Sequence, residues 1–299
     1  MSTELMSQIF MLFGLMAIGY LCGKTRIMDE TANAKFSGFL LKVSLPATIL
    51  SSAISQSSMD LGLVRHVTLT AIGVFILLPI VSKILGKLFH LNATYELMLN
   101  YSNLGFMGLP IISSVYGEES SFFVAIFMMI FNIHIFTYGI INLQGKPDNL
   151  IVMLKKLCTP GIISALLAFV IVLLHLAIPA PVAKLAGSLG SVTIPLAMII
   201  IGSQLAYVQF REVLTKPSLY FMSLLKLVVY PVIVYLALRL VIGPGMVTEI
   251  STILMGLPVA ANVTMICSEY DGDVALAAQG TCVSTLFSLL TIPIMLSVI

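Results

Sequence analysis

Asn103, Gly108 and Pro110 stand in the run N-L-G-F-M-G-L-P, and Pro258 and Asn262 in G-L-P-V-A-A-N, both inside otherwise apolar stretches. Proline removes a backbone donor and its ring clashes with the preceding turn, so an interior Pro beside Gly breaks a helix. In hydrocarbon the freed amides and carbonyls need partners, and only surrounding protein or a watery cavity supplies them. Two such breaks at one depth would aim the positive ends of two downstream half-helices at a common spot. The chemistry on offer is the holding of an anion, most simply a carboxylate, without a buried arginine. Asn103 precedes Pro110 by two helical turns and Asn262 follows Pro258 by one, so both amides fall beside the expected breaks. An amide both donates and accepts, which suits a polar solute that must be held and then released. An ordinary proline kink and interhelical amide bonding are the competing readings.

Other polar residues within apolar stretches offer less. His134 and Asn132 lie near the middle of one stretch, where a buried histidine serves as a proton relay or is simply hydrogen-bonded. Lys42 and Lys226 lie close enough to span ends to snorkel. Gln56, Gln204 and Gln279 suggest no role. Cys22, Cys158, Cys267 and Cys282 are far apart and contain no C-x-x-C pair, so they are expected to be packing residues, with neither disulfide nor metal site. The seventeen methionines and sixteen phenylalanines read as adaptable packing, with no cofactor implied. No span interior offers paired carboxylates or a nucleophile with its base, which argues against an enzyme. No G-x-x-x-x-G-K-[ST] occurs, so the chain carries no ATP-binding loop of that type. No basic run suits nucleic acid.

The elements that must position these residues are membrane helices. Of 299 residues 59% are hydrophobic and 9% charged, with mean hydropathy +1.08, against about 25% charged in soluble proteins. At about 20 apolar residues per crossing, the breaks divide the chain into ten stretches, near 6–23, 36–55, 66–86, 96–115, 120–142, 158–178, 187–207, 217–241, 247–267 and 274–298. The opening M-S-T-E-L-M-S-Q-I-F lacks a basic n-region, so the first stretch is expected to remain as a span. Odd-numbered connections carry Lys24, Arg26, Lys35, Lys83, Lys87, Lys146, Lys155, Lys156, Arg211 and Lys216, and even-numbered ones only Arg65, Lys184 and Arg239. The positive-inside rule then places odd connections in the cytoplasm and both termini outside the plasma (inner) membrane.

A repeat runs through this order. V-S-L-P at 43–46 recurs as V-T-I-P at 192–195, an offset of 149, and G-L-P at 108–110 recurs at 256–258, an offset of 148. Pro79 and Pro231 agree more loosely. Five spans per half make the second half enter the bilayer the opposite way up. The expected fold is therefore an all-α membrane protein of ten helices in two inverted five-helix repeats, 1–142 and 158–299, joined by a linker at 143–157, with helices 4 and 9 broken where they cross.

Phe39 to Pro46, N-L-G-F-M-G-L-P-I at 103–111 and E-Y at 269–270 together resemble motifs of the auxin efflux carrier family, along the whole chain. That resemblance implies a scaffold domain, a transport domain and crossover helices 4 and 9. It also implies substrate contact by Asn103, by the residues around Pro46 and by the start of the helix after Pro258, with Asn132 where plant members have glutamine. Met107, Gly108, Pro110, Val259 and Asn262 complete the candidate set, and His134 is a candidate relay. The plant members' long cytoplasmic loop and their acidic residue in the third segment have no counterpart here, which leaves a charge relay without its acid.

These readings converge on a secondary carrier of a small organic anion, a mono- or dicarboxylate, working by alternating access. A sodium-coupled symporter of the bile-acid type, a passive channel and a membrane sensor stay open, as does a homodimer.

Overall fold

The computed structural model describes residues 3–55, 61–145, 158–207 and 216–299. Gln56, Lys146, Lys155, Lys156, Arg211 and nearly all of the 143–157 linker lie outside them. The described residues are helical, apart from turns and one isolated antiparallel bridge between Ser102 and Val259. In chain order the helices are α1 (Thr3–Lys24), α2 (Glu30–Phe39), α3 (Leu45–Ser55), α4 (Leu61–Phe89), α5 (Ala93–Asn100), α6 (Leu109–Tyr116), α7 (Ser121–His134) and α8 (Ile140–Gln144). There follow α9 (Pro160–Leu173), α10 (Ala180–Gly190), α11 (Thr193–Ala206), α12 (Pro217–Leu224), α13 (Tyr230–Val241), α14 (Met246–Met255), α15 (Ala261–Glu269) and α16 (Val274–Val298).

Local chemistry starts these helices where they start. Asp29, Asn92 and Asp273 each accept the amide three residues on, from Ala32 (2.7 Å), Tyr95 (3.1 Å) and Leu276 (2.9 Å). This satisfies one of the donors a helix leaves open at its beginning. Thr159 does the same for Ile162 ahead of Pro160, a residue suited to the first turn.

Each of the ten expected stretches overlaps an apolar helical run among the described residues, in part or in full. Six are long and apolar enough to cross a membrane: Glu30–Ile54, Gly62–Phe89, Glu118–Gln144, Ala180–Ala206, Pro217–Val241 and Val274–Val298. Four are shorter: Phe10–Lys24, Leu104–Tyr116, Pro160–Leu173 and Met246–Met255. α4 shows what solvent they fit. It buries Val64, Val67, Ala71, Val74 and Leu78 on one side, yet leaves Leu69, Ile72, Ile76, Ile80, Ile84 and Leu88 exposed on another. Such a stripe is a liability in water and ordinary in lipid.

Four π-turns interrupt the helices, at Leu40–Ser44, Leu104–Gly108, Ile135–Gly139 and Leu225–Val229. Three of them end two residues before a proline, Pro46, Pro110 or Pro231. The wider turn moves the carbonyls away from the ring and reroutes the bond that proline cannot make, so the helix continues. Pro195 has no π-turn before it: α11 starts after a turn at Ser191–Val192, so no helix has to continue through the proline.

The chain divides into two compact units, each drawing on both halves of the sequence. The first holds Met1–Val67, Gly105–Met129 and Cys158–Val208. Its tightest joint is main chain on main chain. A Cβ on Gly19 would lie 2.2 Å from the Ile199 carbonyl oxygen, and one on Gly202 would lie 1.9 Å from that of Met16, so α1 and α11 meet as only glycine allows. α9 and α10 pack on α3. The repeated tetrapeptides meet here: the Ser44 and Thr193 hydroxyls are 2.7 Å apart, and Thr48 bonds Thr193 (2.8 Å) and the Gly190 carbonyl (3.0 Å).

The second unit holds Thr68–Leu104, Ile130–Leu157 and Gln209–Ile299. Here α5, α12 and α15 each pack on α16. Two glycines fix close approaches, Gly280 against Met98 and Met222, and Gly256 against Met295 and Pro231.

Three expectations change. Cys158 is exposed, so it is no packing residue, whereas Cys267 is buried. Lys226 is wholly buried and does not snorkel, whereas Lys42 is exposed. Pro110 does not break its helix: the run from Leu104 through Tyr116 is a π-turn followed directly by α6, with Pro110 in the first turn of α6.

Candidate functional site

Two interruptions of helix in the second unit, at 101–103 and 256–260, bind each other. α5 ends at Asn100, and Tyr101 turns extended (φ −115°, ψ 108°). α14 ends at Met255, and the Gly256 amide closes it on the carbonyls of Thr252 (3.0 Å) and Ile253 (3.1 Å). The chain then bends at Leu257 and passes Pro258 to the bridged Val259 and an extended Ala260 (φ −69°, ψ 138°), and α15 starts at Ala261. Between the stretches the Asn103 amide donates to the Pro258 carbonyl (2.8 Å) and the Ala260 amide to the Tyr101 carbonyl (2.9 Å), flanking the Ser102–Val259 bridge. Broken backbone in an apolar interior is thus paired with broken backbone.

Side chains take up what remains. The Val259 amide donates to Ser284 Oγ (3.1 Å), and Ser102 Oγ donates to the Met255 carbonyl (3.3 Å). Lys226 Nζ donates to the Leu99 carbonyl and to Ser102 Oγ, each at 2.8 Å, and stands 5.6 Å from the Tyr230 ring centroid. Tyr101 OH lies 2.9 Å from His134 Nδ1, and the His134 ring stacks on Tyr138 at 5.1 Å.

The polarity of the crossing follows from these ends. The carbonyl ends of α5 and α14, each a negative dipole end, face the ammonium and the Ser102 hydroxyl. The amide end of α15 has no side-chain cap, since Ala260 occupies the cap position. It stays available to an anion. Asn262 sits in that first turn and is half-buried, while Asn103 is only 9% exposed.

The expected site residues divide between the units. Asn103, Pro258 and Val259 come together through the main chain, with Asn262 one helical turn on. Asn132 and His134 belong to the same unit, and His134 reaches the crossing through Tyr101. Pro46, Met107, Gly108 and Pro110 belong to the other unit. The first break therefore lies at Tyr101–Asn103 and not at Pro110, because the extended stretch pairs with 258–260 while the π-turn accommodates the proline. Ser102, Tyr101, Ser284 and above all Lys226 went unrecognised in the sequence. For Lys226 a signal existed: it lies nine residues into the run from Pro217, about 14 Å at 1.5 Å per residue, deeper than a lysine stem reaches.

The family model for membrane transport proteins matches the chain twice in succession, over residues 4–150 and 149–296. A protein of Rhizobium meliloti (strain 1021) that bears the name "Putative malonate transporter" is 24% identical over 306 residues, covering 97% of this chain and 94% of that protein. Helices made for lipid, two paired breaks at one crossing, and a family match over both halves lead to one conclusion: the chain belongs to the membrane transport protein family of auxin efflux carriers and malate permeases, and is a transporter and not an enzyme.

Proposed function

We propose that the protein is a secondary carrier of a small dicarboxylate or monocarboxylate, of malonate or malate size, working by alternating access in the plasma membrane. The observation that carries this reading is the pairing of 101–103 with 258–260, which leaves an uncapped helix start and two asparagine residues beside broken backbone. Carriers with discontinuous helices hold anionic groups at such amide ends. The name of the 24% identical relative supports the substrate class.

Ten spans in two inverted five-helix halves, 1–142 and 158–299, accommodate the double family match and the ten apolar helices. The Ser44–Thr193 contact favours the same repeat, since these residues are separated by the repeat's own offset and sit where a pseudo-two-fold axis would bring equivalents together. The lysine and arginine count then sets both termini outside.

Counterflow in proteoliposomes tests the carrier reading. Internal unlabelled malonate should drive saturable, transient accumulation of labelled malonate, and a panel of mono- and dicarboxylates should rank the substrates. Flux linear in concentration means a channel, and no flux of any carboxylate removes the substrate class. Exposed Cys158 tests the topology: it should resist an impermeant maleimide added outside intact cells and react once the cytoplasmic face is opened.

A further inference from the structure

Each helix break leaves carbonyls without their helical donors, Leu99 at the first and Met255 at the second among them. In an unbroken helix the Leu99 carbonyl would accept from the Asn103 amide, and the Met255 carbonyl from the Val259 amide. Those amides bond elsewhere, to Pro258 and Ser284. The abandoned carbonyls are both taken up by one small group: Leu99 by Lys226 Nζ, Met255 by Ser102 Oγ, with Nζ and Oγ joined at 2.8 Å. Lys226 is 0% exposed, and among the described residues no carboxylate is a hydrogen-bond partner of it. An ammonium so deep is costly unless its protons are well placed. Two of them meet oxygen, and the Tyr230 ring lies beside the group.

Carbonyls at unwound breaks and helix carboxyl ends are the ligands with which broken-helix carriers hold a coupling cation. Here the Leu99 carbonyl already holds a cation, and the Met255 carbonyl is tied to the same cation through Ser102 Oγ. We propose that the Lys226 ammonium is the resident cation of the crossover, filling the oxygen cluster of Leu99, Ser102 and Met255, so that the anion is bound with no alkali cation there. The proposal rests on the crossover being the anion site and deepens that reading by assigning its counter-charge to the chain itself.

Two readouts test it on the purified full-length protein in sodium, potassium or choline chloride: malonate affinity and unfolding temperature. Both should be the same in the three salts for the wild type. Lys226→Met keeps length and loses charge, and its malonate affinity should fall at least tenfold in every salt. Lys226→Ala leaves the oxygens without their cation, so n-propylammonium, the deleted part of the side chain, should raise that variant's unfolding temperature and leave the wild type unmoved. A tenfold gain of wild-type affinity in sodium over choline overturns the proposal. So does wild-type malonate affinity in Lys226→Met, or a Lys226→Ala protein that responds to neither propylammonium nor sodium. If the wild type binds malonate in no salt, the substrate reading has failed, and the unfolding temperatures still decide the role of Lys226.

Discussion

The tripeptide Gly-Leu-Pro occurs at 108–110 and at 256–258 with opposite results. The first lies in a helix that continues; the second ends one. At the first, the π-turn Leu104–Gly108 absorbs the proline, so α6 proceeds from Leu109. At the second, Gly256 closes α14 against the Met295 thioether and the Pro231 ring, and the chain leaves the helix through a bend at Leu257. Having left, it offers the Pro258 carbonyl and the Ala260 amide, and Tyr101–Asn103 pair with them. A proline thus makes one break, and the break so made induces its partner in a stretch without proline. Identical local sequence yields different backbone when only one copy has a β-partner to feed.

That asymmetry can be broken or sharpened. Pro258→Ala should have the largest effect: with the donor restored, α14 can run on towards α15, and substrate affinity should fall on the order of a hundredfold, about 2.7 kcal/mol, while the unfolding temperature holds or rises. Pro110→Ala, in a first turn where the missing amide is no loss, should stay within about twofold of wild type. Equal losses from the two would erase the distinction. Next comes Asn103→Ala, expected to lower affinity roughly tenfold, ~1.4 kcal/mol, with little change in unfolding temperature, since such amides contribute only about 0.6 kcal/mol to membrane packing. Normal affinity in this variant would make Asn103 structural.

Smaller effects separate the two ends of the comparison by packing alone. A Cβ on Gly256 would sit 2.6 Å from Met295 Sδ and 3.2 Å from Pro231 Cβ, whereas one on Gly105 meets nothing nearer than 3.4 Å. Gly256→Ala should cost about 1 kcal/mol, because the thioether can yield, and Gly105→Ala should be neutral or stabilising by roughly 0.5 kcal/mol; thermal unfolding of both in the same detergent decides. Tyr101→Phe removes only the bond to His134 and should cost about 1 kcal/mol. A loss as large as that of Pro258→Ala would make this hydroxyl part of the crossing itself.

The apolar helices were legible because bilayer thickness imposes a length on each, and composition alone supplies the rest. The break at Pro258 was legible too, as proline acts on its own neighbours. The break at Tyr101–Asn103 was not, since its cause lies more than 150 residues away in Pro258–Ala260. Pro110 misled for the complementary reason: three of the four π-turns precede a proline that they absorb, and a turn of that kind has no residue signature. Lys226 was misread because its depth of nine residues below Pro217 was not weighed, and because its partners, the Leu99 carbonyl and Ser102 Oγ, come within its reach only where α5 ends.

Where Gly19 meets Ile199 and Gly202 meets Met16, main chain lies on main chain. A joint of this kind has no side chains to repack and no rotamers to exchange, so sliding one helix along the other requires first lifting it away. Mechanically, the long α1 and the short α11 form a riveted beam. A bilayer thicker or thinner than the beam prefers is met by tilt of the pair as one piece, and the stiffness of the unit is set by the two rivets, not by the length of either rod.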